Sequence, residues 1–236
     1  MSIFLAWGLG LGLTLACHFK HFPTLRRIEW KVPVWAYRSS VSFFAVGLAS
    51  TLYHHIDIVI LRHLLGEVPA IGQYAVATRI QDGLMALATP VALMLFRRMR
   101  ILAVDGAEGS RFSRNSVVGA AFVGLVLAVG GWILGPWVVG LLFGGDYSDG
   151  GNTVIRLLFA GLIFALPNYV MEQHAIATQQ ERWFAKSLII AVMVNVALNF
   201  ILIPAMGVDG AALATVLTEL CLCTALCVKL RRTLFS

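Results

Sequence analysis

The chain contains four long runs without a single aspartate, glutamate, lysine or arginine. A helix needs roughly 20 apolar residues to cross the hydrocarbon core of a bilayer, which is about 30 Å thick. Only 13% of the 236 residues are charged, whereas roughly 25% is usual in soluble domains. The runs therefore predict helices that cross a membrane, and they cover Met1–Phe19, Ser39–Ile56, Asn115–Gly145 and Ser187–Val208.

The fold class predicted from these runs is an all-α, polytopic membrane helix bundle with about seven transmembrane helices. The runs are too long and too uniformly apolar for the alternating strands of a barrel. The short connection Arg62–Pro69 predicts an antiparallel hairpin, and Pro90, Pro136 and Pro167 mark expected kinks inside spans. The predicted spans are Ile3–Cys17, Ser39–Leu61, Ala70–Phe96, Ser116–Phe143, Thr153–Ile176, Ser187–Pro204 and Ala211–Val228.

Positive charge predicts how the bundle is oriented, because lysine and arginine collect in cytoplasmic loops. Most of the 18 basic residues fall on one side of the predicted membrane. The net charge of +6 therefore indicates orientation, and no nucleic-acid partner is expected. The basic residues on that side are Lys20, Arg26, Arg27, Lys31, Arg38, Arg97, Arg98, Arg100, Arg111, Arg114, Arg182, Lys186, Lys229, Arg231 and Arg232.

The sequence has no pattern typical of an enzyme or a metal site. Its four cysteines include no C-x-x-C pair, and the adjacent His54 and His55 point to different faces of a helix. A phosphate-binding glycine loop and a nucleophile elbow are both absent from the sequence. We expect no catalysis and no cofactor, apart from coupling to H+ or Na+.

Several motifs, taken in order, resemble the second half of bacterial polysaccharide-unit flippases. These proteins belong to the multidrug/oligosaccharidyl-lipid/polysaccharide exporter (MOP) superfamily, which also contains the multidrug-and-toxin extruders. The motifs are His55–Leu61, Leu65–Gly66, Ile71–Arg79, Leu142–Tyr147, Asn195–Pro204 and Gly207–Thr215.

The resemblance implies two six-helix lobes around a water-filled, cationic cavity that opens alternately to each side of the membrane. Residues 1–17 then correspond to the last helix of a truncated first lobe, 18–38 to a basic cytoplasmic linker and 39–236 to the second lobe. The topology places Met1 outside, and the first span is not a convincing signal peptide. We therefore expect a C-terminal portion that needs a missing N-terminal lobe or a partner protein.

The implied function is translocation of undecaprenyl-diphosphate-linked oligosaccharide units across the bacterial cytoplasmic (inner) membrane. Such units supply surface polysaccharides, for example the O-antigen of lipopolysaccharide. The implied partners are therefore the lipid-linked oligosaccharide and the membrane lipids. Two alternatives remain open: a cation-coupled multidrug antiporter of the same fold, and a non-transporting membrane partner subunit.

Ionisable residues within the spans are the candidate site residues, because each is costly in hydrocarbon. Arg79 lies near mid-depth, where its guanidinium could hold a diphosphate, or it could pair with Asp82 at i, i+3. Asp57 could be the acid that couples transport to H+ or Na+, or a counter-ion to Arg79 or Arg62.

The remaining candidates are polar residues at helical spacing. Asn168, Glu172 and Gln179 share one face, although Glu172 could instead reach the cytoplasmic interface. Asn195 and Asn199, at i, i+4, could contact substrate or form hydrogen bonds between helices. Glu219 lies near the middle of the last span, and no partner for it can be predicted.

Overall fold

The computed structural model of the chain describes residues 48, 51–53, 55–66, 69–103, 106–143 and 152–234, and its elements in this part are all helices. These helices belong to one compact unit, Ala45–Ser236. The predicted span Ile3–Cys17, the predicted linker 18–38 and His54 lie outside the described residues. The helices are α1 (residues 51–53 and 55–65), α2 (Pro69–Leu102), α3 (Gly106–Phe143), α4 (Asn152–Ala177), α5 (Glu181–Met206) and α6 (Val208–Leu234).

The predicted polytopic helical bundle is confirmed. Within the part of the chain that the structure describes, four helical segments are long and apolar enough to cross a membrane: Ala107–Leu141, Thr153–Ala177, Glu181–Met206 and Val208–Arg231. Several helices extend beyond the predicted spans at their basic ends, because a helix continues past the hydrocarbon where its charged side chains meet water. Thus α3 begins at Gly106 instead of Ser116, and α2 continues past Phe96.

The predicted hairpin between α1 and α2 is formed by a short turn. Gly66 adopts a φ of +72°, in the left-handed region that glycine enters without steric cost. Its N–H donates a 3.1 Å hydrogen bond to the carbonyl of Arg62 and so ends α1. Pro69 then begins α2, at a position where its missing N–H breaks no helical hydrogen bond.

The helix α4 is the central element of the bundle and packs against α2, α3 and α6. In its most apolar window 67% of the residues are buried, against 17% in the corresponding window of α3 and 28% in that of α5. The apolar side chains of α3 and α5 therefore face outward, as they must where lipid is the solvent. Pro90, Pro136 and Pro167 all lie inside helices, as predicted.

One end of the bundle brings together the basic segments that the charge pattern assigns to the cytoplasm. There Met99 of α2 packs in one cluster with Phe112 of α3 and Ala177 of α4. A neighbouring cluster contains Phe184 of α5 and Leu230 of α6. The end of α2, the start of α3, the α4–α5 turn and the end of α6 thus lie at the same end, as the predicted orientation requires.

The packing of α3 on α4 depends on a glycine. Gly124 is buried, and a Cβ atom added there would overlap the backbone carbonyl oxygen of Leu162 in α4. Because the clash is with backbone, a change of rotamer cannot relieve it. The two helices approach this closely only because Gly124 has no side chain.

We expect Gly124→Ala to destabilise the protein by about 1–3 kcal/mol, the usual cost of overpacking. The matched control is Gly119→Ala on the same helix, where an added Cβ meets nothing within 4 Å. Thermal unfolding of the detergent-solubilised variants, followed by tryptophan fluorescence, measures the difference. Equal transition temperatures for the two variants would contradict this account of the α3–α4 interface.

Candidate functional site

A polar cleft of about 110 Å³ lies among α1, α2, α4, α5 and α6. All charged side chains among its described lining residues are acidic: Asp57, Asp82, Glu172 and Glu219. The cationic cavity that the resemblance implies would lie between two lobes, whereas this cleft lies within one bundle of helices. The uncharged polar lining residues are Tyr53, Tyr74, Thr78, Gln81, Asn168, Tyr169, Asn195 and Thr215.

Asp57 joins three helices on one side of the cleft. Its side chain in α1 is only 5% exposed and accepts a hydrogen bond from the hydroxyl of Tyr74 in α2. Its other carboxylate oxygen accepts a 2.8 Å bond from the N–H of Ile58. Thr215 of α6 lies close enough to Tyr74 to interact with its hydroxyl. The predicted counter-ions Arg79 and Arg62 form no ion pair with Asp57 in the described part of the chain.

Glu219 of α6 is the centre of a second group of interacting polar side chains. Its hydrogen-bond partner is Asn168 on the central helix α4. The side-chain N–H₂ of Asn168 in α4 donates to the Glu219 carboxylate at 2.7 Å and to the Glu219 backbone carbonyl at 2.9 Å. The hydroxyl of Tyr53 in α1 interacts with the same carboxylate. These contacts link α1, α4 and α6 around the Glu219 side chain.

Glu172 lies one helical turn beyond Asn168 and faces the cleft. It is close enough to Glu219 to interact with it electrostatically. The alternative in which Glu172 reaches the cytoplasmic interface is therefore not what the structure shows. Gln179, predicted to share this face, lies in the turn after α4 with a φ of +60° and is exposed, outside the cleft.

The predicted pair Asn195 and Asn199 forms hydrogen bonds within the bundle, and only Asn195 lines the cleft. The side-chain N–H₂ of Asn199 donates to the carbonyl and the side-chain oxygen of Asn195, both at 2.9 Å. Asn195 in turn approaches the Thr218 hydroxyl of α6 at 3.4 Å. Asn199 is fully buried, so it supports Asn195 and does not reach the cleft.

Arg79, predicted for the cavity between two lobes, does not line this cleft. Residues Tyr74, Thr78 and Asp82 line the cleft from one side of α2. Each residue of a helix is rotated by about 100° from the one before it, so Arg79 follows Thr78 onto another face and is exposed. Asp82 lines the cleft but forms no ion pair with Arg79 among the described residues, so the predicted i, i+3 pair is not observed.

Sequence analysis missed the tyrosines of this site. Tyr53 and Tyr74 lie in apolar segments, and nothing in their spacing distinguishes them from core aromatic residues. The only feature of the sequence that could have indicated them is general: a buried tyrosine hydroxyl usually needs a hydrogen-bond partner. No group of three or more metal-binding side chains is found among the described residues.

Comparison with known proteins gives two distant matches. No family model matches the chain. Over 220 residues, 92% of the chain, it is 23% identical to a probable low-salt glycan biosynthesis flippase, Agl15, from Haloferax volcanii. A solved MOP superfamily transporter from Pyrococcus furiosus has a TM-score of 0.71 with this structure at 18% identity, over 81% of the chain.

Both matches cover only part of the other protein, 44% of the flippase and 43% of the solved transporter. The chain thus spans less than half the length of each. Both agree with the resemblance identified from the sequence motifs, and both matched proteins are transporters, not enzymes. The described helices therefore share the fold of part of this solved MOP superfamily transporter.

Proposed function

We propose that this chain is part of a transporter that moves lipid-linked oligosaccharide units across the cytoplasmic membrane. The observation that carries the proposal is the cleft of carboxylates, amides and tyrosines inside a bundle whose outer face is apolar. Ionisable residues are costly inside a membrane and commonly mark a path for substrate or ions. The distant similarity to a glycan biosynthesis flippase supports an oligosaccharide as the substrate.

The finer proposal is that the substrate is an undecaprenyl-diphosphate-linked unit for a bacterial surface polysaccharide such as O-antigen. The chain covers less than half of each matched transporter. We therefore propose that an N-terminal lobe, or a partner protein in its place, supplies the other wall of the transport cavity. Lobes that rock around a site at mid-depth provide alternating access in many transporters.

The acidic cleft suggests how roles are divided among the candidate residues. Carboxylates repel a diphosphate, so in this proposal the cleft contacts sugar hydroxyls and the coupling ion. Asp57, Asp82 and Glu172 are the acids available to H+ or Na+, and Asn195 is an amide available to a sugar. Arg79, on the exposed side of α2, is the residue proposed for the diphosphate.

A cation-coupled multidrug antiporter is the second candidate, and the acidic charge of the cleft favours it specifically. A cationic drug would find four carboxylates and, among the described lining residues, no lysine or arginine. The two candidates differ in the substrate that should accumulate when the gene is lost. Loss of a non-transporting subunit would not directly cause either substrate to accumulate.

Deleting the gene in its own organism should cause lipid-linked oligosaccharide to accumulate at the cytoplasmic face, with loss of the surface glycan. Extracted lipids analysed by mass spectrometry, together with glycan staining of intact cells, measure this. Susceptibility to cationic drugs is measured in parallel. Increased drug susceptibility with normal surface glycan would select the antiporter, and no change in either would remove both transport proposals.

Replacing Asp57 by asparagine should reduce transport at least about tenfold. The remaining transport should no longer depend on the coupling ion, since in this proposal the Asp57 carboxylate binds and releases that ion. Asparagine preserves the side-chain shape and can still accept the bond from Tyr74. The control is Glu181→Gln, which removes an exposed acid at the start of α5. Undiminished, equally ion-dependent transport by Asp57→Asn would exclude the coupling role.

Replacing Arg79 by alanine should reduce glycan export about tenfold or more, because the proposed diphosphate contact is lost. The amount of protein in the membrane should stay unchanged, because Arg79 is exposed and packs in no core cluster. Arg79→Lys, which keeps the charge but not the two-pronged geometry, should retain part of the activity. Arg100→Gln is a control at another exposed arginine. Normal export by Arg79→Ala would remove Arg79 from the substrate path.

A further inference from the structure

A second concave surface lies between α5 and α6 and shares no lining residue with the central cleft. It is a groove of about 630 Å³ lined by Trp183, Thr224, Ala225, Val228 and Lys229. Nothing in the proposed transport function uses it. We call it the α5–α6 groove.

The α5–α6 groove lies where the headgroups of the cytoplasmic leaflet are expected. Lys229 is 21 residues after Val208, the first residue of α6, which corresponds to about 31 Å along a helix axis. The hydrocarbon core is about 30 Å thick. If Val208 lies at the outer boundary of the hydrocarbon core, Lys229 therefore lies at the cytoplasmic boundary. Trp183 lies beside Lys229, near the start of α5.

The side chains of the groove match the two parts of a phospholipid. The Lys229 ammonium sits over the Trp183 ring, 5.8 Å from its centroid, which holds the charge at the mouth of the groove. Ala225 lies one helical turn deeper in the membrane than Lys229, and the neighbouring Val228 is 77% exposed. The groove thus has a fixed cation at headgroup level and an open apolar surface for an acyl chain.

The surrounding charge favours an anionic ligand. Arg182 and Lys186 of α5 and Arg231 of α6 are exposed at the same end of the bundle. Glu181 is the acidic residue in the first turn of α5, so cations outnumber acids here. Basic pockets between membrane helices on the cytoplasmic side are known to bind anionic lipid headgroups.

We propose that the α5–α6 groove binds an anionic phospholipid of the cytoplasmic leaflet, with its phosphate on Lys229 and one acyl chain along Ala225 and Val228. The ligand is a resident lipid, not the transported substrate. It would add a bridge between two helices that already meet through apolar contacts and the contact of Lys229 with Trp183, so it should stabilise the bundle as well as bind to it.

Native mass spectrometry of the full chain in detergent, titrated with phosphatidylglycerol or with phosphatidylcholine, tests the proposal. We expect a bound phosphatidylglycerol and a higher unfolding temperature, with neither effect from phosphatidylcholine. Lys229→Gln should weaken phosphatidylglycerol binding about fivefold, and Lys229→Arg should retain it. Arg100→Gln removes the same charge at the same end of the bundle, outside the groove, and should leave binding unchanged.

Three outcomes would overturn the proposal. Unchanged binding by Lys229→Gln would show that the lipid lies elsewhere. Equal losses in Lys229→Gln and Arg100→Gln would show general attraction to a basic surface without a defined site. Displacement of phosphatidylglycerol by a much lower concentration of a polyprenyl diphosphate would assign the groove to the transported lipid instead.

Discussion

The described helices are held together around two carboxylates that must be satisfied away from water. A buried acid is costly unless hydrogen bonds compensate for the lost hydration. Asp57 accepts a hydrogen bond from Tyr74 and Glu219 accepts one from Asn168, while the Tyr53 hydroxyl interacts with the Glu219 carboxylate. Because each acid takes its partners from other helices, meeting its hydrogen-bonding needs also sets how α1, α2, α4 and α6 pack. The cleft lies between these two groups.

The same two acids limit what the cleft can bind. With Asp82 and Glu172 added, its charge has one sign across the described lining residues. When these acids are ionised, such a surface attracts cations, accepts hydrogen bonds from hydroxyl groups and repels phosphate. The lipid-linked oligosaccharide of our proposal carries both hydroxyl and phosphate groups, so the proposal assigns its two parts to different surfaces. The exposed position of Arg79 on α2 is compatible with this separation.

The outer helix α3 is held in the bundle by a different kind of interaction. In α3 the apolar side chains face outward, and contact with α4 relies on the close approach permitted at Gly124. Lipid is as apolar as these side chains, so the hydrophobic effect does not hold the two helices together; close packing does. The basic ends of α2, α3, α5 and α6 meet at one end of the bundle, where water and headgroups can solvate them.

The sequence alone determined the membrane class and predicted the orientation and the approximate spans, because runs without charge and the distribution of lysine and arginine depend on local composition. The resemblance to the exporter superfamily rests on short motifs that are read directly from the sequence. The sequence also predicted that Asn168 and Glu172 share a face, since that follows from helix periodicity. Only the tertiary structure decided that Glu219 is paired with Asn168, that Tyr74 is bonded to Asp57 and that Arg79 lies outside the cleft. These contacts depend on how each helix is rotated and shifted along its axis against its neighbours. Packing between segments that are far apart in the sequence sets this arrangement, and local sequence periodicity does not predict it.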